Sequence, residues 1–391
     1  MTARSCAVLV AGGGAAGAAA AIAAARAGAE TVLLEREAVL GGIGQLGLFR
    51  RICGLYRNDG ATAGPPLNDG FPAELAARLG TRPERVGRVW LQPLGAGDFD
   101  RLLTPYCAGE PRLTVLRRHA VQTVTVSGAS VQSVTALGPD GPVTFAPATV
   151  IDASGDGGVA VMAGAEYELA PPGERQLGGF TVRFAGLAGP PGDLALQVPF
   201  ACARGVAEGA LPPLLRFTTF LPGDGPGTGD CKLSALDDAD PGGVAQLLGD
   251  YLASALPAFR GATVVARSPR VLAREGRRIA GDYRLTADDI LAARKFPDGV
   301  VRNAWPMESW ERERGTVYRY GPDGDCYEIP LRCLTVRGFT NLLCAGRNIS
   351  VSREALASTR VIGCCLALGA QAGRAAAFRA ARGGYPAELR P

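Results

Sequence analysis

A chain of 391 residues, 47% hydrophobic and 20% charged, has an ordinary globular composition and enough length for two domains of roughly 100–200 residues each. Its net charge of +4 is small and its charges are interspersed without a basic stripe, which argues against nucleic acid as a partner. No segment reaches the roughly 20 uninterrupted apolar residues of a membrane span, so we expect a cytoplasmic protein without a membrane partner.

The first elements in chain order predict a βαβ unit. Residues 6–11 are apolar and typical of a buried parallel strand. A glycine-rich turn over 12–17 leads into an Ala-rich helix that ends near Gly28. Residues 31–34 predict the second strand, so strand, turn, helix and strand follow one another within about 30 residues.

The middle of the chain predicts a change of architecture. Residues 41–70 are rich in Gly, Asn, Asp and Pro and predict long loops. A helix is predicted at 98–108, and strands follow at 113–116, 121–127, 131–137, 144–145 and 148–152. From about 167 to 331 prolines and glycines cluster, and helices are predicted near 243–256 and 286–295.

The last elements return to the first pattern, with a buried strand and glycine turn at 341–346 and a helix over about 357–381. We therefore predict an α/β fold in which a Rossmann-like nucleotide-binding domain with a parallel sheet is interrupted by an inserted α+β substrate domain. The nucleotide-binding domain is expected to comprise 1–56, 98–165 and 335–391. The inserted domain is expected to comprise 57–97 and 166–334.

The turn after the first strand carries the G-x-G-x-x-G pattern of dinucleotide sites. Gly12 permits the tight turn, Gly14 lets the backbone approach a pyrophosphate, and Gly17 lets the helix pack on the strand. The helix that begins at Ala15 and Ala16 would present free N–H groups to the phosphates. The pattern therefore predicts a phosphate site.

A carboxylate at the end of the second strand supports this prediction. Glu35 follows Gly17 by 18 residues, where an acidic side chain binds the adenosine ribose hydroxyls. A carboxylate there argues against NADP, because it would repel the 2′-phosphate. The two signals together predict a bound dinucleotide.

Three later segments favour FAD over NAD. A second glycine loop occupies 41–47, a strand ends in Asp-Ala-Ser-Gly-Asp-Gly at 152–157, and Cys-Ala-Gly-Arg-Asn-Ile-Ser at 344–350 precedes a helix with Gly-Ala-Gln-Ala-Gly at 369–373. These segments resemble the FAD-dependent oxidoreductase family related to the fumarate reductase and glutathione reductase flavoproteins, the type with two dinucleotide-binding domains. The segments at 277–283 and 327–330 extend the resemblance over most of the chain.

The resemblance implies FAD as cofactor and a set of contacts to it. Glu35 and Arg36 would hold the adenosine and Val121 would flank the adenine, while 42–45 would run along the flavin. The N-terminus of the final helix would face the flavin pyrimidine edge, where its partial positive charge favours hydride acceptance. The complete set of implied cofactor contacts is Gly12, Gly14, Ala15, Ala16, Gly17, Glu35, Arg36, Gly42, Ile43, Gly44, Gln45, Val121, Ser154, Gly155, Asp156, Gly346, Arg347, Asn348, Arg360 and Val361.

The catalytic groups are less defined, because a histidine that many relatives carry near 303–318 is missing here. His119, the only histidine, precedes the adenine-flanking strand and is interpreted as structural. We predict Cys53, Arg278 and Glu308 as catalytic residues. For Cys53 a nucleophile, a covalent flavin attachment and simple packing remain open. The arginines at 267, 270, 274, 277 and 278 either bind a substrate carboxylate or form a solvated surface.

No metal site is expected. No two of the ten cysteines have the C-x-x-C spacing, and a single histidine leaves only scattered thiolates as ligands. We interpret most of the cysteines as small buried side chains in a reducing cytosol.

The expected function is an FAD-dependent dehydrogenase or oxidase that transfers hydride from a small-molecule substrate to a non-covalently bound flavin, with oxygen or another acceptor for reoxidation. Flavin hydroxylases and flavin halogenases are weaker matches, because their signature segments are absent or partial. Two other classes stay open: a thiazole-synthase-like protein that consumes a dinucleotide as substrate, and a non-catalytic scaffold that retains a nucleotide.

Overall fold

The computed structural model describes residues 3–95, 98–386 and 391. Within them the strands, in chain order, are β1 (Arg4–Ala11), β2 (Thr31–Glu35), β3 (Arg51–Cys53), β4 (Glu84–Val86), β5 (Val89–Pro93), β6 (Leu113–Arg117), β7 (Ala120–Ser127), β8 (Ser130–Gly138), β9 (Gly141–Asp152), β10 (Tyr167–Glu168), β11 (Gly178–Ala185), β12 (Thr219–Pro222), β13 (Gly229–Ala235), β14 (Thr263–Arg267), β15 (Arg278–Ile279), β16 (Gly299–Asn303), β17 (Met307–Glu311), β18 (Gly315–Arg319), β19 (Tyr327–Pro330) and β20 (Leu342–Cys344).

The helices in the same residues are α1 (Ala15–Arg26), α2 (Ile43–Leu46), α3 (Phe71–Leu79), α4 (Phe99–Ala108), α5 (Gly158–Met162), α6 (Pro191–Ala207), α7 (Pro241–Ala255), α8 (Ala287–Leu291), α9 (Arg353–Thr359) and α10 (Ile362–Arg382). Short 3-10 helices occupy Pro213–Phe217, Pro257–Phe259 and Leu331–Cys333. No single helix of the described chain is long and apolar enough to cross a membrane; α9 and α10 meet that test only as a pair bent by 92°.

The main sheet is built around β1, whose apolar side chains are buried. Its strand order is β6-β2-β1-β9-β8-β7, with β20 beside β9. The strands β6, β2, β1, β9 and β20 pair in parallel, whereas β8 and β7 add an antiparallel ribbon. Parallel strands end at one edge of a sheet, so the turns after β1, β2, β9 and β20 come together there.

Helices α1 and α10 pack on each other through their smallest residues. A Cβ atom added to Gly369 would lie 1.9 Å from the carbonyl oxygen of Ala16, and one added to Gly373 would lie 2.2 Å from that of Ala20. Glycine is therefore required at both positions for the two backbones to approach this closely. The contact places the N-terminal part of α10 beside the turn that begins α1.

The inserted sheet is antiparallel, with the order β12-β13-β11-β14. Phe180, Val182 and Phe184 of β11 point to one face and pack with α6 and α7 in a small hydrophobic core. The alternating residues Thr181 and Arg183 point to the opposite face, as the two-residue period of a strand requires. That face contacts 47–50 of the nucleotide-binding part: Thr181 Oγ1 donates to the carbonyl of Gly47 over 2.8 Å.

A buried carboxylate connects the two sheets. Asp230 of β13 accepts hydrogen bonds from Nε of Arg183 and Nε of Arg50, each over 2.8 Å, and its side chain is 3% exposed. Asp224, whose side chain is 50% exposed, is the second carboxylate on Arg50. Asp230 is thus the polar contact that positions the inserted sheet on the segment 47–50.

The structure confirms the predicted fold class, a mixed α/β fold with a parallel-rich main sheet and an inserted antiparallel sheet. Two local predictions are wrong. The helix expected over 357–381 is two helices separated by a sharp bend, and 144–145 and 148–152 belong to the single strand β9. The segment 41–70 has little regular structure, as predicted, with only the short α2 and β3. The bend lies at Val361, the N-cap of α10, whose backbone is extended (φ −71°, ψ 152°).

The buried side chains form two cores of unequal size. The small core takes its members from 180–259. The large core surrounds the main sheet and includes buried residues from 52–94 and from 279–336 as well. The predicted limits of the inserted domain, 57–97 and 166–334, therefore include segments that pack in the large core, and the domain limits stay a prediction.

Candidate active site

The three glycines of the motif in the turn between β1 and α1 have different surroundings. Gly12 has φ +105°, and a Cβ there would lie 2.5 Å from the carbonyl oxygen of Ala153. A Cβ on Gly17 would lie 1.6 Å from the carbonyl oxygen of Gly12. A Cβ on Gly14 would meet only the Cα of Gly42, at 3.8 Å. Gly12 and Gly17 are therefore required by the fold, while Gly14 borders open space in front of the N-terminus of α1.

The carboxylate of Glu35 lies beside this turn. It accepts hydrogen bonds from the backbone N–H of Gly13 over 2.5 Å and from that of Glu37 over 2.7 Å. Burial raises the pKa of Glu35, and the two N–H donors oppose that shift. Each carboxylate oxygen keeps a lone pair for another donor. The geometry fits a carboxylate that receives two vicinal hydroxyls of a ribose.

The end of β9 closes the same groove from the other side. Asp152 is fully buried, and its carboxylate accepts from Ser154 N and Oγ and from Ala160 N over 2.6–3.0 Å. Asn348 donates from Nδ2 to the carbonyl of Asp152 over 3.0 Å, which ties the turn after β20 to this segment. Gly155 has φ +79° and open space around its missing side chain.

Arg347 and Asp156 connect this groove to the segment before β15. Arg347 donates from Nε to the carbonyl of Gly155 over 2.7 Å and from Nη1 to the carbonyl of Ala273. Asp156 accepts two hydrogen bonds of 3.0 Å from Arg277, one from N and one from Nε. These two side chains therefore position the loop around the groove.

The second glycine loop lies directly against the first. Gly41 and Gly14 form a parallel bridge, and a Cβ on Gly42 would lie 2.9 Å from the Cα of Gly14. Gly44 packs on the ring of Phe99, and Gln45 accepts from the N–H of Asp100 over 3.0 Å. Exposed Ile43 lies between them. The loop thus continues the wall of the groove away from the phosphate turn.

The groove leads towards the N-terminus of α10. A Cβ on Gly54 would lie 2.5 Å from Val361, and one on Gly363 would lie 2.7 Å from the carbonyl oxygen of Cys53. Cys53 is thus adjacent to the first turn of α10. Burial raises the pKa of the Cys53 thiol to about 12. At neutral pH this side chain is a thiol and not a thiolate.

Four charged side chains surround Cys53 and the start of α10: Lys232, Arg274, Glu308 and Arg360, which we call the polar cluster. Arg360 donates from Nη2 to the carbonyl of Glu308 over 2.8 Å. The charge of Glu308 acts on Cys53 and on all three cations, which places the groups within mutual electrostatic reach.

Two tryptophans organise the carboxylate of the polar cluster. Trp305 and Trp310 donate from Nε1 to the two carboxylate oxygens of Glu308, over 3.2 and 3.1 Å. The guanidinium of Arg274 stacks on Trp310, 3.7 Å from the ring centroid, and donates to the carbonyls of Leu177 and Gly178. Glu308 is therefore oriented by two neutral donors.

The remaining predicted residues lie elsewhere. Arg278 is buried and ion-paired with Glu275 and Glu168, at 3.3 and 3.4 Å, in the small sheet of β10 and β15. Arg36 is exposed beside Glu35. Val121 lies in β7, just after His119.

His119 has a packing role in this structure. Its backbone N–H donates to the carbonyl of Glu35 over 2.9 Å, so it lies at the ribose end of the groove. Its ring covers Gly138, where an added Cβ would lie 2.3 Å from Nε2. All ten cysteines fall in the described residues and are free thiols.

The residues present fit FAD. Glu35 offers an adenosine site, and Gly14 leaves an open approach for a phosphate. Gly369 packs on Ala16 and α10 begins seven residues earlier, so the start of α10 lies about 10 Å from the phosphate turn along that helix at 1.5 Å per residue. Fold and groove together define a dinucleotide-binding protein of the Rossmann type.

The sequence matches the family model described as FAD dependent oxidoreductase over residues 7–205 and 218–391. The chain therefore belongs to the FAD dependent oxidoreductase family, and it is an enzyme of that class with FAD as cofactor. Membership also implies a small-molecule substrate. No curated protein matches the sequence.

The chain is similar to solved structures at low identity, and the first of the two below shows the fold. A geranylgeranyl bacteriochlorophyll reductase-like protein from Thermoplasma acidophilum superposes with a TM-score of 0.51 and 12% identity, covering 97% of this chain and 79% of that chain. The p-nitrophenol 4-monooxygenase from Pseudomonas putida DLL-E4 gives a TM-score of 0.43 and 14% identity, with 72% and 70% of the two chains covered.

Sequence reasoning missed Lys232, Trp305 and Trp310. No motif marks them, because they lie in β13 and around β17, far along the chain from the glycine turns. Lys232 still has one sequence signal, since the chain contains only two lysines.

Proposed function

We propose that the chain catalyses hydride transfer between a small-molecule substrate and a non-covalently bound FAD, as a dehydrogenase or an oxidase. The observations that carry the proposal are the open approach to the phosphate turn at Gly14 and the polar cluster at the start of α10, the helix that packs on this turn through Gly369. When bound, FAD supplies a ring that accepts or donates a hydride.

Different residues of the chain would bind different parts of the cofactor. Glu35 holds the ribose, and the N–H groups at the start of α1 bind the pyrophosphate. The first turn of α10 directs its partial positive charge towards the far end of the groove, where negative charge on the cofactor would develop.

Glu308 is the acid–base group of this proposal. Its carboxylate is held by the two indoles and lies within electrostatic reach of Lys232, Arg274 and Arg360. As a base it accepts the proton that leaves a substrate hydroxyl or amine while the neighbouring C–H transfers its hydride. The missing family histidine is then replaced by a carboxylate.

The test compares Glu308→Gln with Cys53→Ala in the anaerobic protein mixed with a panel of metabolites. Loss of visible flavin absorbance reports reduction. Once a reducing metabolite is found, Glu308→Gln is expected to slow that reduction by about a hundredfold, the scale of lost general base catalysis. Cys53→Ala is expected to leave the rate nearly unchanged. Equal rates in all three proteins would remove Glu308 from the mechanism.

The relation to the fumarate reductase and glutathione reductase flavoproteins, and to their arrangement of two dinucleotide-binding domains, stays a prediction, as does a cytoplasmic location.

A further inference from the structure

Among the residues that the structure describes, no carboxylate lies within ion-pair distance of the three cations of the polar cluster. The ammonium of Lys232 faces the ring of Phe49, 5.1 Å from its centroid, and makes no hydrogen bond or ion pair among the described residues. The other lysine differs in this respect, because Lys295 Nζ donates to Asp325 and to the carbonyl of Ala293, each over 2.9 Å.

The two arginines are also unpaired. Arg274 uses its guanidinium on backbone carbonyls and on the Trp310 ring, and Arg360 uses one nitrogen on the carbonyl of Glu308. Nε of Arg360 is buried and has no partner in the described chain. Neither guanidinium has a carboxylate within ion-pair distance among those residues.

The charges of the polar cluster therefore do not balance, since three cations face the single carboxylate of Glu308. Burial lowers the pKa of Lys232, that of Arg360, and that of Arg274 to about 9. Desolvation thus opposes the positive charge of these side chains, and no carboxylate among the described residues offsets it at ion-pair distance. A buried cation without a partner is unfavourable unless an anion compensates it.

We propose that the substrate carries an anionic oxygen group, a carboxylate or a phosphate, which Lys232, Arg274 and Arg360 bind beside the start of α10. That the bound anion belongs to a substrate rests on the proposed function. Binding of the anion can be measured without turnover. The anion is distinct from the cofactor pyrophosphate, because the phosphate turn lies about 10 Å away along α10.

The positions of the three cations in the fold also indicate how the anion would be oriented. Lys232 comes from the inserted sheet, Arg274 from the loop before β15, and Arg360 from the junction of α9 and α10. An anion bound by all three would hold the inserted sheet against the nucleotide-binding part. Its uncharged portion would then lie near Cys53 and Glu308, where the proposed proton transfer takes place.

The test is calorimetric titration of the oxidised, FAD-loaded protein with malonate and with inorganic phosphate, at constant ionic strength. Malonamide is the uncharged control for malonate. We expect saturable binding of at least one of the two anions and none of malonamide. Malonate alone would identify the carboxylate class and phosphate alone the phosphate class.

The matched variants use the two lysines. Lys232→Met keeps the length of the side chain and removes its charge, and is expected to weaken anion binding by about tenfold or more, the cost of a lost charge-assisted hydrogen bond. Lys295→Met is expected to bind as the parent does. Binding of neither anion, or equal binding by the parent and Lys232→Met, would overturn the proposal.

A second measurement needs no variant at the site. Reductive methylation with ¹³C-formaldehyde keeps the lysine charges and gives two side-chain signals, which Lys295→Met assigns. Added malonate or phosphate is expected to raise the pKa of the Lys232 signal and to leave that of Lys295 unchanged. If the cations stabilise only the reduced flavin, added anion will not change the pKa of Lys232 in the oxidised protein, and the proposal fails. Flavin reduction by a metabolite would still be observable in that case, so the proposed function is tested separately.

Discussion

Burial decides the chemistry of Cys53, the residue for which sequence reasoning left three roles open. Its thiol lies against the start of α10 with a pKa raised to about 12 by desolvation. A thiolate nucleophile or a flavin attachment point requires the opposite shift. The structure therefore favours packing among the three roles.

We predict that flavin is released when the protein is precipitated in acid. The yellow chromophore should appear in the supernatant, as absorbance after centrifugation, because no bond joins it to Cys53. The variant Cys53→Ala should release the same amount. Flavin that stays with the pellet of the parent protein but not with that of Cys53→Ala would show a covalent attachment.

Glu35 offers a second test at this scale. Glu35→Gln keeps the size of the side chain but removes the charge that strengthens hydrogen bonds to ribose, each worth about 1.5–3 kcal/mol. The FAD affinity of the apoprotein, measured by fluorescence titration, should fall by about tenfold or more. Glu37→Gln is the control, since that carboxylate pairs with Arg36 and Arg270 at the surface. Equal affinities would place the ribose elsewhere.

At the scale of elements, the unit of β1, α1 and β2 was predictable from sequence because its signals are local. The predicted strands at 6–11 and 31–34 became Arg4–Ala11 and Thr31–Glu35, and the helix ends at Arg26, just before Gly28. Glycine spacing and apolar runs determine the secondary structure of the few residues around them, so they can be interpreted without knowledge of distant contacts. The bend at the start of α10 was not predictable, because no glycine or proline marks Arg360 and Val361, where the helix is interrupted.

The same unit gives a prediction that separates folding from binding. Gly14→Ala should fold normally, since its Cβ meets only the Cα of Gly42 at 3.8 Å, but should purify with little FAD because the methyl group occupies the phosphate approach. Gly17→Ala should fail to fold stably, because its Cβ would overlap the carbonyl of Gly12. Circular dichroism and flavin content distinguish the two. A flavin-replete Gly14→Ala protein would contradict the assignment.

At the scale of the whole molecule, the polar cluster shows the limit of sequence reasoning. Its members come from β13, the loop before β15, β17 and the junction of α9 and α10. Glu308 was named from sequence as an acid–base candidate, and the adjacent Cys53 was named because it follows the segment expected along the flavin. Lys232 could not be named, because its neighbours are determined by how the inserted sheet docks and not by anything adjacent in sequence.

Docking of the inserted sheet can be tested at Asp230. Asp230→Asn leaves the guanidinium groups of Arg50 and Arg183 without their buried carboxylate, a change that typically costs about 3–5 kcal/mol. Asp224→Asn removes the exposed carboxylate from the same Arg50 and should cost at most about 1 kcal/mol. Denaturant unfolding measures both. Similar midpoints for the two variants would show that Asp230 does not hold the sheets together.

The packing of α1 against α10 also sets the order of events during synthesis. The ribosome makes the Ala-rich helix α1 early, yet the helix that covers it begins only at Ile362. At about 5–20 residues per second, α1 waits on the order of tens of seconds before its partner emerges. During that interval the nucleotide turn lacks its support and its apolar surface is uncovered. We therefore expect the nucleotide site to be complete only after α10 has been synthesised.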